Sequence, residues 1–370
     1  MHFACAGMNR EPLIVNRDSA KIYFSQGIDK NKTGNFHEAI FCFTKAIYFD
    51  STMVSAYFNR AFSKNQMLDY SSALRDYEAV LKLNLTWEEQ YEAYFNKGLT
   101  QTYLKNLKEA MGDFDNAIRL NPDFADAYFN RSVIKGKIGD YSGELEDIDR
   151  AIALRPDDSY AYNSRGIIRS MMGDYIGAVK DYSNSIQYNK QNADAYYNRG
   201  IILYEMKEYL SSLNDYNAAI ALKPDAETYN RRANVKSRLN DQKGAMADYN
   251  SAVSLDTNYS VALVNRGYLN YELGEYSLAI KDLDHAIRKN PDASAYYYRG
   301  MVKDKLGNHK GAIEDYSFAI DFKPDYESAY LGRGLARYGE GDKRGGCDDL
   351  NRALKLGSDE SYDALLKFCR

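Results

Sequence analysis

Residues that commonly hold metal ions or carry out catalysis are scarce in this sequence: among 370 residues there are 4 histidines and 4 cysteines. None of the histidines (His2, His37, His285 and His309) has a Cys, Asp or Glu at metal-ligand spacing. We therefore expect no metal site and no cofactor. No Ser or Cys nucleophile has a base that the sequence places beside it, which predicts a protein that is not an enzyme.

Long apolar runs and an excess of one charge are also missing. No apolar run is long enough to span a bilayer, and acids and bases are interspersed to a net charge of -4. We therefore expect neither a membrane nor a nucleic acid as partner. The N-terminus lacks the basic and apolar regions of a secretory signal, which favours a cytoplasmic location. An exported or lipoprotein form, with cleavage before Cys5, stays open if the true start lies upstream.

The cysteines also show no metal-ligand spacing, and reduced thiols are the default interpretation. Cys347 and Cys369 lie in a predicted helix and at the end of the helix that should pack on it. Two small buried thiols are the favoured interpretation there, and a disulfide is the alternative.

A self-similarity of about 34 residues runs through most of the chain and decides the fold. In each period a small residue follows an anchoring aromatic or aliphatic residue by four positions: Gly27, Ala61, Gly98, Ser132, Gly166, Gly200, Ala233, Gly267, Gly300 and Gly334. A second small residue follows twelve positions later: Ala39, Ala73, Ala110, Ala178, Ser212, Ala245, Ala279, Ala312 and Gly346. Small residues at fixed places let two helices cross closely. Glu144 interrupts the second column, so we expect looser packing in the fourth period.

These columns resemble the tetratricopeptide repeat, an antiparallel helix pair closed by a proline. Five of the six prolines lie in that closing slot: Pro122, Pro156, Pro224, Pro291 and Pro324. The resemblance covers ten units and implies an all-α solenoid, a right-handed superhelix of antiparallel helix pairs. The C-terminal stretch from Gly341 is similar to repeat proteins of Bacteroidota-type bacteria.

We predict three segments on this basis. Residues 1–19 form an N-terminal extension that is loosely ordered or a short helix, and residues 20–357 form the ten repeats. Residues 358–370 form a capping helix with Ser358 as its N-cap and an apolar face made of Tyr362, Leu365, Leu366 and Cys369.

A cation stands before the first small residue of nine repeats, and an acid stands in the second helix of the same nine. Repeat one lacks both, with Gln26 and Cys42 in their places, so we predict that each pair forms inside one repeat. Arg199 with Asp215 and Arg165 with Asp181 are typical examples. Nine copies favour a structural role for these partly buried ion pairs over a catalytic one.

In this family the first helices line a concave groove, and the residues that face it are candidates for binding. Directly before the cation stand Asn59, Asn96, Asn130, Asn198 and Asn265, and one position earlier stand Phe58, Phe95, Phe129 and Tyr197. Asparagine can both donate to and accept from an extended peptide backbone. The row resembles the asparagine ladder in the repeat arm of O-linked N-acetylglucosamine transferases. The alternative is that the asparagines are ordinary helix-surface residues and that the phenylalanines pack on their neighbours.

The seventh repeat is polar and basic, and its Arg231 and Asn234 could hold a carboxylate. The family's carboxylate clamp needs cations where Asn230, Ser294 and Tyr298 stand, so recognition of a chaperone tail is not expected.

The sequence as a whole predicts a protein-interaction scaffold that binds an extended peptide or partner protein in the groove. The alternatives are a recognition or regulatory subunit of an enzyme complex and, against the charge balance, an RNA-binding helical repeat.

Overall fold

The structure, a computed structural model, describes residues 16–369, and within them it consists of 21 α-helices without a strand. Most of the predicted N-terminal extension, residues 1–15, lies outside the described residues. The first helix begins at Arg17, three residues earlier than predicted, with the Asn16 side chain as its N-cap. The chain divides into two compact units, Met1–Met172 and Gly173–Arg370.

The first unit contains nine helices in its described part. Their bounds are α1 Arg17–Lys32, α2 Phe36–Phe49, α3 Val54–Gln66, α4 Tyr70–Val80, α5 Trp87–Tyr103, α6 Leu107–Leu120, α7 Ala125–Lys137, α8 Tyr141–Leu154 and α9 Ser159–Met171.

The second unit contains twelve helices up to residue 369. Their bounds are α10 Tyr175–Tyr188, α11 Ala193–Glu205, α12 Tyr209–Leu222, α13 Ala226–Arg238, α14 Gln242–Leu255, α15 Ser260–Glu272, α16 Tyr276–Lys289, α17 Ala293–Lys305, α18 His309–Phe322, α19 Glu327–Gly339, α20 Lys343–Lys355 and α21 Asp359–Phe368.

Within each unit the helices pack in chain order. Every odd-numbered first helix from α1 to α19 except α9, the last helix of the first unit, packs on the second helix that follows it. From α3 onwards each first helix also packs on the second helix before it. The small residues of the two columns lie at these crossings: Ala61 and Ala73, for example, are fully buried in one cluster with Tyr77. A Cβ atom at Gly98 would lie 2.8 Å from the Phe114 ring, which shows how close the helices of the third pair come.

The tight turns between first and second helices use one backbone conformation. The second residue after the first helix adopts a positive φ, as at Gly139 (φ 83°) and, without a glycine, at Lys207 (φ 63°). The next residue caps the second helix: the Asp140 carboxylate accepts a hydrogen bond from the Gly143 N–H at 3.0 Å. The turn thus ends one helix and begins the other.

The third pair begins early, with a helix start of its own. Thr86 and Glu89 form both hydrogen bonds of a capping box, so α5 begins at Trp87. Trp87 packs on Tyr91 with ring centroids 5.5 Å apart. The only tryptophan is therefore part of a helix start, although its side chain remains exposed.

Two expectations for the C-terminus were wrong. Cys347 in α20 and Cys369 after α21 form a disulfide bond, where buried thiols were favoured. The helix α21 also buries Ser361 and Ala364 and leaves Tyr362 and Leu366 exposed. Phe368 packs on Tyr338 with ring centroids 4.9 Å apart, which turns the helix away from the predicted face. The segment still covers the last pair, because α21 packs on both α19 and α20.

Candidate functional site

The first helices lie closer together than the second helices within each unit. α1 contacts α3 and α5 contacts α7 in the first unit, and consecutive first helices from α11 to α19 contact one another in the second. Neighbouring second helices of the described pairs make at most marginal contact. The first helices therefore occupy the inner side of each unit, and we call their exposed side the first-helix face.

Buried ion pairs fix the orientation of the first helices. In the fourth pair, Arg131 Nε and Nη2 donate to the two carboxylate oxygens of Asp147 at 2.8 and 2.6 Å. Arg199 binds Asp215 in the same two-pronged way, with both distances 2.7 Å. The partners are 16 residues apart and belong to the same repeat, as the sequence predicts. The same contact joins Arg60–Asp76, Arg232–Asp248, Arg266–Asp282, Arg299–Asp315 and Arg333–Asp349.

The third nitrogen of each arginine reaches back to the preceding second helix. Arg131 Nη1 donates to Asp115 at 2.7 Å, and Arg199 Nη1 donates to Ser183 at 2.8 Å. One guanidinium thus joins three helices through the fixed, planar arrangement of its N–H donors. Sequence reasoning missed this contact because the acceptor varies among Asp, Asn, Ser and Thr from repeat to repeat.

Several of the buried carboxylates also bind a second cation, one turn along the first helix. Lys135 Nζ lies 2.9 Å from Asp147, and Lys64 Nζ lies 2.6 Å from Asp76. Lys236, Lys303 and Arg337 do the same in their repeats. The predicted partners Arg165 and Asp181 belong to different units. Within its own unit, Arg165 Nη1 donates to Asp149 at 2.6 Å.

Three of the predicted asparagines share one arrangement in the first unit. The Nδ2 groups of Asn59, Asn96 and Asn130 each donate, at 2.8 Å, to the carbonyl four residues earlier in their own helix. The side chains are half-exposed. Within residues 16–369, no group donates to their Oδ1 atoms. The backbone bond holds each carboxamide in place and leaves one acceptor and one N–H available.

The phenylalanines beside these asparagines pack mainly within the fold. Phe58 lies against Tyr77 with ring centroids 5.8 Å apart, and Phe95 contacts Phe114 and Phe124. Phe129 packs against the cluster that contains Ile148 and Tyr162. Each ring is half-buried, so only its outer edge is open to the first-helix face.

Tyr197 and Arg231 of the second unit meet at an acidic side chain. The Tyr197 hydroxyl donates to Glu227 Oε1 at 2.5 Å, and Arg231 Nη2 lies 3.3 Å from the same oxygen. Burial and the Glu227 carboxylate raise the pKa of Tyr197 well above its ordinary value. Glu227 thus stands where an incoming carboxylate would bind Arg231. Asn198 of the same first helix, α11, is half-buried.

Asn234 and Asn265 belong to a polar network in the second unit. Asn265 Nδ2 donates to Asn230 Oδ1 at 2.9 Å and approaches Asn234 Oδ1 at 3.4 Å, and the Tyr249 hydroxyl donates to Asn234 at 2.6 Å. Asn265 is therefore engaged inside the fold, unlike the asparagines of the first unit. Sequence position alone does not distinguish the two cases.

The same network borders an open cavity of about 450 Å³ between α11, α13, α15 and α17. Tyr204 accepts a hydrogen bond from Arg238 Nε at 3.1 Å on one side. Tyr268 and Tyr298 pack against each other on the other side, with tilted rings whose centroids are 4.6 Å apart. Burial raises the pKa of Tyr249 to about 12, and burial together with Glu272 raises that of Tyr268 to about 12. Both hydroxyls therefore stay neutral and can donate at physiological pH.

Two further features concern the described residues: grouped metal ligands and membrane-spanning helices. Between residues 16 and 369, no three His, Cys, Asp or Glu side chains are grouped as metal ligands. None of the helices there is both long and apolar enough to cross a membrane.

Comparison with known proteins identifies the repeat. Family models of the tetratricopeptide repeat match residues 91–124, 171–207, 193–226, 226–259 and 305–341. No curated protein sequence matches the chain.

Solved structures share the fold at low sequence identity. The chain is similar to a structure of the APC/C hetero-tetramer Cut9–Hcn1, with a TM-score of 0.53 and 13% identity over 95% of this chain and 90% of that one. A tetratricopeptide repeat protein from Parabacteroides merdae gives a TM-score of 0.52 and 17% identity over 67% of this chain and 99% of that one. The C-terminal part of a tetratricopeptide repeat protein from Cytophaga hutchinsonii gives a TM-score of 0.53 and 16% identity over 65% of this chain and 97% of that one. The family-model matches, together with the helix pairs inside each unit, show that the chain is a tetratricopeptide repeat protein.

Proposed function

We propose that this protein is a non-catalytic scaffold that binds an extended segment of a partner protein on its first-helix face. The observation that carries the proposal is the shared state of Asn59, Asn96 and Asn130. Each has a fixed carboxamide with an acceptor and an N–H that the described fold does not use.

Such a carboxamide matches the hydrogen-bonding groups of a peptide backbone. An extended peptide offers one N–H and one C=O at each residue, so a row of carboxamides can bind it whatever its side chains. The bond from Nδ2 to the helix carbonyl has already fixed the rotamer, so little further side-chain entropy is lost on binding. The exposed edges of Phe58, Phe95 and Phe129 supply apolar contact between the polar groups.

The cavity of the second unit would receive side chains rather than backbone. The Tyr204 hydroxyl, which accepts from Arg238, can donate its own O–H to a ligand, and Arg238 and Glu272 place opposite charges on the rim. This combination favours polar or aromatic side chains of the ligand over purely aliphatic ones.

Selection of a random 12-residue peptide library on the whole chain tests the proposal. The affinities of enriched peptides are then measured for the wild type and for the triple variant Asn59→Ala/Asn96→Ala/Asn130→Ala. At about 1 kcal/mol for each lost hydrogen bond, we expect the triple variant to bind about a hundredfold more weakly.

The matched control is Asn116→Ala/Asn351→Ala. Both asparagines make the same bond to the carbonyl four residues earlier, but on second helices. Alanine is a better helix former than asparagine, so neither variant should unfold. Equal loss in both variants, or no loss in the triple variant, would contradict the proposal.

A further inference from the structure

In the fourth repeat, two residues depart from the repeat pattern and lie against each other: one is unusually large for its position and the other is a glycine. Glu144 stands on α8 in the column of small residues, and Gly136 stands opposite it on α7. A Cβ atom at Gly136 would lie 2.5 Å from the Glu144 Oε2 atom. The carboxylate therefore occupies the space that a side chain at Gly136 would fill. The expectation of looser packing in this repeat was therefore wrong. The large side chain of Glu144 fits because Gly136 has no side chain.

A cavity of about 340 Å³ opens beside this carboxylate, wholly within the first unit. Its walls come from α7, α8 and α9 and are mostly apolar. Ile148 forms the buried part of the wall, and Ile167 and Met171, which are 39% and 62% exposed, form its outer part. Val133, Ser164 and Ile167 belong to first helices, so the cavity lies on the first-helix face.

Glu144 has no partner within the part of the chain that the structure describes. No hydrogen bond or ion pair joins its carboxylate to another residue there, and burial raises the pKa of the carboxyl. Lys137 also lines the cavity, but it is exposed and makes no ion pair with Glu144. The neighbouring Lys135 is engaged with Asp147 at 2.9 Å. The apolar cavity thus contains one carboxylate whose charge is not balanced locally.

We propose that this cavity binds a basic side chain, lysine or arginine, of the partner segment. The aliphatic stem would lie on Ile148, Ile167 and Met171, and the cationic end would meet Glu144. Lysine and arginine combine an apolar stem with a terminal charge, which matches an apolar wall with one carboxylate. The inference rests on the proposed function and adds one side chain to the description of its ligand.

Methyl resonances in NMR can test the proposal on the whole chain. The probes are two peptides, acetyl-Ala-Ala-Lys-Ala-Ala-amide and the same peptide with norleucine in place of lysine. We expect the lysine peptide to shift the methyl signals of Ile148, Ile167 and Met171 saturably, and to bind at least tenfold more tightly than the norleucine peptide.

Three variants separate the role of charge from that of shape. Glu144→Gln keeps the shape and should weaken the lysine peptide about tenfold without affecting the norleucine peptide. Glu144→Ala restores the column's small residue, so it should fold and show the same loss. Lys137→Ala removes the like charge at the cavity and should leave binding unchanged or make it tighter.

The outcomes also separate this inference from the proposed function. If both peptides bind equally and depend on Asn130 but not on Glu144, the groove binds peptides and the basic-side-chain pocket is wrong. A weakening by Lys137→Ala equal to that of Glu144→Gln would also overturn the pocket. The proposal would also be wrong if the three methyl signals shifted with protein concentration alone, or when residues 1–15 were removed. In either case the cavity would be filled by this chain rather than by a partner.

Discussion

The Lys97 ammonium binds Oδ1 of Asp113 at 2.7 Å and leaves Oδ2, a buried oxygen, without a hydrogen-bond partner. In the next repeat, Arg131 binds both oxygens of Asp147. Burial outweighs the attraction of Lys97 and raises the pKa of Asp113 above its ordinary value. The third repeat therefore carries a buried carboxylate that is only half satisfied, which is costly.

Lys97→Arg should stabilise the third pair by about 1–2 kcal/mol, since a guanidinium can reach both oxygens of Asp113. A repeat chain need not unfold in one step, so native-state hydrogen exchange of α5 and α6 is the suitable measurement. The folded-state pKa of Asp113 lies above its unfolded value, so the native state takes up the proton first. The free-energy cost of the buried, ionised Asp113 is therefore present above its folded-state pKa and disappears as the pH falls through that pKa. The gain from Lys97→Arg should therefore be largest at neutral pH and shrink on acidification.

Arg131→Lys is the reverse change and serves as the control. It removes the second bond to Asp147 and the bond to Asp115, and should speed exchange in α7 and α8. Unchanged or faster exchange in the Lys97→Arg variant would show that the free oxygen of Asp113 carries no cost.

Asp215→Ala should destabilise the sixth pair by about 3–5 kcal/mol, because it leaves the half-buried guanidinium of Arg199 without its main partner. The double variant Arg199→Leu/Asp215→Leu removes both charges and should lose far less. Native-state hydrogen exchange of α11 and α12 compares the two variants. Equal losses would mean that the site needs these particular side chains rather than a balanced charge.

Lys207→Gly should raise stability by up to about 1 kcal/mol, because Lys207 holds a left-handed backbone (φ 63°) that costs L-residues energy. Gly274 occupies the equivalent turn with φ 79°, and Gly274→Ala should lower stability by a similar amount. Thermal unfolding of the two variants gives the sign of each change. A loss in Lys207→Gly would show that the lysine side chain contributes more than its strained backbone costs.

Reduction of the Cys347–Cys369 disulfide should release α21 from the last pair. The bond closes a loop with a sequence separation of 22, for which loss of a cross-link costs about 3 kcal/mol. Hydrogen exchange of α21 with and without a reductant measures this change, and Cys42→Ser, which removes the buried free thiol, is the control. An oxidised chain that still reacts with a thiol reagent at Cys369 would contradict the bond.

Much of the fold could be predicted because it depends on residues that recur. The small-residue columns define the helix pairs. Repeat one lacks both the cation and the acid, with Gln26 and Cys42 in their places, and this joint absence identifies the 16-residue pairing. The second cation on Asp76 or Asp147 escaped prediction because its column also contains uncharged residues in other repeats. The face of α21 escaped because a single segment has no period with which to correct its register.

The candidate site was less predictable, because its residues act through neighbours in space. Asn130 and Asn265 have the same position in their repeats, yet Asn265 is bound by Asn230 and Asn234 whereas the Oδ1 of Asn130 is free. The signal for the cavity was available in the sequence: Glu144 and Gly136 depart from their columns in opposite directions within one repeat. Only the structure shows that the two departures compensate each other in space.

The arginine bonds to the preceding second helix also determine how the first unit comes apart. In a repeat protein, stability is the sum of each unit and its interfaces with its neighbours. At the interface between α4 and α5 this bond lacks both its donor and its acceptor. Lys97 replaces the arginine and reaches only Asp113, and Leu81 stands 16 positions earlier, where other repeats have the acceptor. Helices α1 to α4 are thus joined to α5 without the arginine bond that the other interfaces have, although Asn65 Nδ2 donates to Thr100 at 3.1 Å across this boundary. Partial unfolding should release them as one cooperative block, and a protease should then cut first in the segment from Leu83 to Leu85.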